Sequence, residues 1–217
     1  MSLNLPRVYP ITDARLSGLS HAEQVTRLIA GGAELIQLRD KHAAPSEFYH
    51  DAASALGIAR THNVKLIIND RLDVALALKA DGVHLGQSDI PVEAARRLLG
   101  ENAIIGISTH NLAQAKLAST LPVEYVAFGP IFKTATKENP DPVAGLVALR
   151  EVRGTIESLP LVAIGGITLS NGLEAIKAGA DTLAIISGLV CQPGEIAENM
   201  SKMLALTSSL VKNSCSG

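Results

Sequence analysis

A short motif repeated four times constrains this chain more than anything else in it. Gly32-Ala33-Glu34, Ala80-Asp81, Val123-Glu124 and Ala180-Asp181 each stand immediately before a β-rich run. Counting from the acid, the second and fourth residues are Ile36 and Leu38, Val83 and Leu85, Val126 and Phe128, and Leu183 and Ile185. All are large and apolar. The third and fifth are Gln37 and Arg39, His84 and Gly86, Ala127 and Gly129, and Ala184 and Ile186, mostly small or polar. Side chains alternate between the two faces of a strand. One face therefore packs against helices and the other points into a narrow interior. A closed eight-stranded barrel, whose interior layers come from alternate strands, produces this contrast. An open doubly wound sheet buries both faces of its central strands and need not show it.

The remainder of the chain fills in the units between these copies. Strands are expected at 8–12, 35–39, 65–69, 82–85, 104–108, 125–129, 161–165 and 182–186. Amphipathic stretches at 21–30, 46–62, 71–78, 91–99, 111–118, 143–152, 170–178 and 195–210 read as helices. Ser20, Asn111 and Ser170 are candidate caps, and Pro91 suits a first helical turn. Strands alternating with helices give βαβ units and a parallel sheet. The expectation is an α/β chain, a (β/α)8 TIM barrel, forming a single domain over residues 1–217 with a polar tail from about 208. A length of 217 residues is enough for one such barrel.

Composition removes several classes of function. Lys and Arg number 19 against 21 Asp and Glu, so there is no basic field for nucleic acid or an anionic membrane. Aromatic residues make up 3% and Trp is absent, which argues against base stacking. No apolar run reaches the ~20 residues needed to span a bilayer. Residues 1–7 lack a signal-peptide core, and Cys191 and Cys215 form no CxxC pattern. A cytoplasmic enzyme or binding protein for small molecules is expected, with no nucleic-acid or membrane partner. Whether it is a monomer or a homo-oligomer stays open.

Barrel chemistry belongs at the C-terminal ends of the strands. There the sequence places Gln37, Arg39 and Lys41, then Asn69 and Asp70, then Gly86 to Asp89, Ser108, Thr134, Thr136 and Lys137, Gly165-Gly166, and Ile186-Ser187. The glycine pair and the last strand end suit a phosphate, with Thr134 and Thr136 as hydroxyl donors. Asp70 and Asp89 beside three cations suit Mg²⁺ and a second anionic group, expected to be a diphosphate; the plainer alternative is pairing with Arg71 or turn backbone. His84, on an inward position, is an acid–base candidate, but a lone interior histidine is more often hydrogen-bonded packing, and the choice between a catalytic and a structural role stays open. Ser108 lacks an activating His–Asp pair and is expected to donate to a phosphate or ring. His110 is a candidate cap, and Arg96 and Arg97 are expected on a solvated face.

In order along the chain stand Tyr9-Pro10-Ile11-Thr12-Asp13, Gln37-Leu38-Arg39-Asp40-Lys41, Asn69-Asp70, Gly82-Val83-His84-Leu85-Gly86-Gln87-Ser88-Asp89 and Gly106-Ile107-Ser108. Gly129-Pro130-Ile131-Phe132, Thr134-Ala135-Thr136-Lys137 and Ile164-Gly165-Gly166-Ile167 follow. Together these segments resemble the thiamine-phosphate synthase family across residues 8–188. Ala135 departs from the proline frequent there. The resemblance implies joining of 4-amino-2-methyl-5-(diphosphooxymethyl)pyrimidine to 4-methyl-5-(2-phosphooxyethyl)thiazole, giving thiamine phosphate and diphosphate. It implies that Gln37, Leu38, Arg39, Asp40, Lys41, Asn69, Ser108 and Lys137 bind the pyrimidine diphosphate. Thr134, Ala135, Thr136, Gly166, Ile186 and Ser187 would bind the thiazole phosphate. One Mg²⁺ per site would lie on Asp70 and Asp89, and Arg39, Lys41, Lys137 and Ser108 would act in catalysis. Three alternatives stay open: a thiazole tautomerase, which needs a proton-transfer group but no metal pair; a non-catalytic phosphate-ligand sensor; and another phosphosugar isomerase or aldolase, for which no strand-embedded Lys is evident.

Overall fold

The computed structural model describes residues 5–134, 136 and 141–213. Its strands are β1 (Val8–Thr12), β2 (Leu35–Leu38), β3 (Lys65–Asn69), β4 (Gly82–Leu85), β5 (Ile104–Thr109), β6 (Tyr125–Phe128), β7 (Leu161–Ile164) and β8 (Thr182–Ile185). Each pairs in parallel with the next, and β8 pairs with β1, so the sheet closes into an eight-stranded barrel. The connecting helices are His21–Ala30, Pro45–Thr61, Leu72–Leu78, Val92–Leu99, Leu112–Ala118, Gly145–Ile156 and Gly172–Lys177, and Ile196–Asn213 follows β8. This is the (β/α)8 TIM barrel.

The repeat does what its alternation implies. Ile36, Leu38, Val83, Leu85, Val126, Phe128, Leu183 and Ile185 lie in the layer between sheet and helices. Tyr9, Ile11, Leu35, Ile67, Ile104, Tyr125, Ala127, Val162 and Ala184 fill the interior as a separate cluster. Small inward residues there make room for large ones. A Cβ on Gly106 would collide with the ring of Tyr125, its paired neighbour across β5 and β6.

The acids of the repeat act as clamps. The first one or two N–H groups of a strand at the barrel floor need acceptors. Asp81 Oδ2 accepts from Leu66 N at 2.8 Å, Glu124 Oε2 from Ile105 N at 2.6 Å and Asp181 Oδ2 from Leu161 N at 2.8 Å. The acid ahead of an even-numbered strand thus ties down the odd-numbered strand before it. Glu34 is the exception: its side chain is exposed, and its backbone oxygen accepts from Lys65 N.

Arg96 corrects the expectation of a solvated face. It is buried and donates to both Glu124 oxygens at 2.6 and 2.7 Å and to the carbonyls of Gly100, Ala103 and Pro122. Helical periodicity left it on a polar stripe, and only the adjacent strand reveals its partner. Arg97 is exposed as expected.

Side-chain caps fix the starts of two connecting helices. Ser20 and Glu23 form a reciprocal capping box, and Asn111 Oδ1 accepts from Gln114 N at 2.9 Å. The cap expected of His110 is therefore made by its neighbour. Ser170 does not cap either, because Gly172–Lys177 starts later and Ser170 Oγ pairs with Thr168 Oγ1. Two four-residue helices, Ala14–Ser17 and Ser187–Val190, follow β1 and β8. Both are too short for periodicity to announce. The expected tail from 208 is helical through Asn213. Among the described residues no helix is long and apolar enough to cross a membrane.

Candidate active site

The strands deliver their C-terminal ends to one cavity of about 600 Å³, within the range of small-molecule sites. Gln37, Arg39, Lys41, Asn69, Asp70, Asp89 and Ser108 line it on the β2–β5 side. Thr134, Thr136, Gly166, Ile186 and Ser187 line it on the β6–β8 side. Two expected residues do not share it through their side chains. Leu38 is buried among the helix-facing residues. Asp40 turns to the loop backbone and accepts from His42 N and Ala43 N, each at 2.8 Å. Burial opposes the charge on Asp40, but these bonds and His21 hold its carboxyl below the ordinary value. Ala135 and Lys137 lie outside the described residues.

The cations arrive already matched. Arg39 Nη1 lies 2.9 Å from Asp13 Oδ2, with both side chains mostly buried. Asp13 also caps Ala14–Ser17 through Leu16 N at 3.0 Å. Its part in holding Arg39 was not foreseen; the only sequence signal is an acid one step beyond a strand end. Lys41 Nζ contacts the Asp70 carboxylate. Arg71 pairs with Asp73, so the plainer alternative for Asp70, a pairing with Arg71, does not form. Asp70 takes a left-handed backbone, φ 57°, with its N–H donated to His84 O at 2.8 Å. For a residue other than glycine that conformation costs about 1 kcal/mol, and such strain clusters at functional sites.

Asp89 Oδ2 accepts from Gly86 N at 2.7 Å. Burial first, and then the charge of Asp70, raises the Asp89 carboxyl above its ordinary value. Two neighbouring carboxylates, one of them already against an ammonium, suit a hard divalent cation. Among the described residues no group of three or more His, Cys, Asp or Glu side chains is placed to hold a metal. A cation at Asp70 and Asp89 would therefore draw its remaining oxygens from ligand and water.

His84 reaches Tyr125 Oη with Nδ1 at 3.0 Å and Ser108 Oγ with Nε2 at 2.8 Å. Its ring stacks on Tyr125 at 17°. Burial lowers its pKa to about 4, so the imidazole is neutral at pH 7. Of the two roles left open, hydrogen-bonded packing matches this arrangement.

On the other side, Gly165 and Gly166 have φ 98° and 65°. A Cβ on Gly165 would lie 2.5 Å from Pro130 Cβ, and one on Gly166 would strike the Lys133 carbonyl. The glycines therefore let the β7 loop lie directly on the β6 loop. The Thr134 and Thr136 hydroxyls sit 3.4 Å apart beside them. His110, Gln114 and Asp141 also line this wall. His110 Nδ1 donates to Gly129 O at 2.7 Å and lies 3.6 Å from Asp141 Oδ2. Sequence reasoning casts His110 only as a cap and assigns Gln114 and Asp141 no part: Gln114 sits in the first turn of Leu112–Ala118 and Asp141 in a long loop, neither with a pattern that points to the cavity.

Comparison with known proteins places this cavity in context. A family model described as thiamine monophosphate synthase matches residues 8–189. The thiamine-phosphate synthase of Chloroflexus aurantiacus is 45% identical over 185 residues, covering 85% of each chain. That of Methanoregula boonei is 46% identical over 191 residues, covering 88% of each. The solved thiamine phosphate pyrophosphorylase from Pyrococcus furiosus superposes with a TM-score of 0.85 at 33% identity, covering 95% of this chain and 98% of its own.

Proposed function

The chain belongs to the thiamine monophosphate synthase family, and on that premise we propose that it joins 4-amino-2-methyl-5-(diphosphooxymethyl)pyrimidine to 4-methyl-5-(2-phosphooxyethyl)thiazole. The products are thiamine phosphate and diphosphate. The observation that carries this reading is the cavity itself. It sets a cation-and-carboxylate wall, Arg39, Lys41, Asp70 and Asp89, opposite a hydroxyl-and-glycine wall, Thr134, Thr136 and Gly166. Two differently charged substrates need two such ends facing one space.

In the proposed reaction the bond between the pyrimidine methylene carbon and the diphosphate oxygen breaks first. The electron pair leaves with diphosphate. The thiazole nitrogen then gives its lone pair to the methylene carbon, forming the C–N bond of the thiazolium. No proton is transferred, so no general base is needed, in keeping with a His84 whose two ring nitrogens are both engaged, by Tyr125 and Ser108. Negative charge gathers on the leaving oxygens, where Arg39, Lys41 and Lys137 are assigned to stabilise it. Asp70 and Asp89 would hold a Mg²⁺, which supplies charge neutralisation to the diphosphate when bound. Gln37 and Asn69 orient the pyrimidine end, and Thr134, Thr136, Gly166, Ile186 and Ser187 seat the thiazole phosphate. Holding both partners in line supplies much of the remaining rate. The site fits a protein acting on small molecules in a biosynthetic setting, and a cytoplasmic location goes with that reading.

Purified protein is given both substrates, with Mg²⁺ or with EDTA, and thiamine phosphate is detected by mass. Metal-dependent product is expected. Folded protein that makes none under either condition overturns the reading, and proton exchange into the thiazole phosphate would then indicate a tautomerase.

A further inference from the structure

A continuous line of buried hydrogen bonds crosses the barrel interior and ends at the cavity. Gln37 Nε2 donates to Tyr9 Oη at 3.0 Å. Tyr9 Oη lies 3.1 Å from Tyr125 Oη, Tyr125 Oη 3.0 Å from His84 Nδ1, and His84 Nε2 2.8 Å from Ser108 Oγ. Among the described residues no buried side-chain nitrogen or oxygen lacks a partner.

The direction of every bond in this line follows from its first member. An amide nitrogen only donates, so the Tyr9 oxygen accepts from Gln37. The hydroxyl proton of Tyr9 then goes to Tyr125, its other partner. The proton of Tyr125 goes to His84 Nδ1. A neutral imidazole that accepts at Nδ1 carries its proton on Nε2. That proton goes to Ser108 Oγ. The hydroxyl proton of Ser108 is left to point into the cavity.

We propose that His84 and Tyr125 are positioning residues that fix Ser108 as a hydrogen-bond donor toward the substrate, so that Ser108 favours an anionic diphosphate oxygen and disfavours a donor group. The Tyr9 and Tyr125 side chains occupy the closed interior and His84 lies buried at its edge with the cavity, so rotation is restricted and no water is needed to complete the line. The tautomer stands on these contacts alone, whereas the diphosphate as acceptor rests on the function proposed above.

Nitrogen NMR of the full-length, ¹⁵N-histidine-labelled protein at pH 7 reads the tautomer directly, with the His84 signal assigned from His84→Gln. A protonated Nε2 and bare Nδ1 are expected; a protonated Nδ1 overturns the proposal without any reference to activity. Steady-state kinetics on Tyr125→Phe, Ser108→Ala and the double variant provide the second arm. Tyr125→Phe keeps the ring over Gly106 and is expected to lower kcat/KM for the pyrimidine diphosphate by about tenfold, the scale of one hydrogen bond to a charged group. In the Ser108→Ala background the same change is expected to cost nothing further. Equal losses in both backgrounds mean that Tyr125 acts only through structure, and overturn the proposal. Wild-type protein without synthase activity would instead count against the proposed function and leave the tautomer result standing.

Discussion

Arg39 shows how a cation can be held at the cavity by a partner outside it. Without substrate its guanidinium is compensated by Asp13 at 2.9 Å, which spares the protein an unpaired buried charge. Under the proposed function the same pairing would keep the fork aimed at the leaving oxygens of a diphosphate. Arg39→Ala is therefore expected to lower kcat on the order of a hundredfold, with little change in KM for the thiazole phosphate, as measured by steady-state assay. A change confined to the thiazole KM would contradict the assignment. His84 gives a second prediction, this time in stability. Its pKa is about 4 in the folded chain against 6.5 as the ordinary value. As pH falls below 6.5 the unfolded chain takes up a proton that the folded chain refuses. The contribution is complete above pH 6.5 and is lost as pH falls toward 4, by about 2 kcal/mol at pH 5. Urea unfolding at pH 7 and pH 5 is expected to show a smaller loss in His84→Asn than in the wild type. Equal losses would place the acid sensitivity elsewhere.

Among the elements, the strands were far more legible than the loops. Alternation after Glu34, Asp81, Glu124 and Asp181 specifies which side chains enter the barrel, because a strand's faces are set by a period of two. The cavity walls were legible too, since Gln37, Asn69, Asp70, Asp89 and Ser108 stand within a few residues of strand ends. What the sequence concealed depends on contacts between distant residues. Arg96 meets Glu124 across 28 positions, and Asp13 meets Arg39 across 26. The direction of Asp40 and the short helix Ser187–Val190 are decided by local turns with no periodic signature. The Arg96 pairing yields a test at this level. Arg96→Ala strands a partly buried carboxylate and several carbonyls, and is expected to cost about 3 kcal/mol in urea unfolding. Arg97→Ala, one position along on the exposed face, is expected to stay within about 0.5 kcal/mol. Similar values for the two would mean that the Glu124 clamp carries no stability.

For the whole molecule, closure is the decisive property. Val8, Tyr9 and Pro10 of β1 pair with Leu183, Ala184 and Ile185 of β8, and Thr182 Oγ1 donates to Pro6 O at 2.8 Å. Removing residues 1–12 would free the edges of both β2 and β8, and open edges invite pairing between chains. Such a truncated chain is expected to aggregate and to show no cooperative melting by calorimetry, whereas a soluble, cooperatively melting product would mean that seven strands suffice.

The carboxylate clamps carry a further consequence, for how parts of this barrel can be exchanged between relatives. Asp81, Glu124 and Asp181 each bind a strand N–H inside one odd–even pair, so each pair of strands travels with its own fastening. A chimera joined between pairs, near residues 62–64, inherits the Asp81 fastening whole from a single parent, whereas one joined near 100–103 keeps Glu124 with Ile105 but takes its Arg96 partner from the other parent. One joined inside a pair, near residues 79–80, must rely on two parents having placed acid and strand in matching register. The natural currency of recombination in this fold is then the two-strand module rather than the single βα unit.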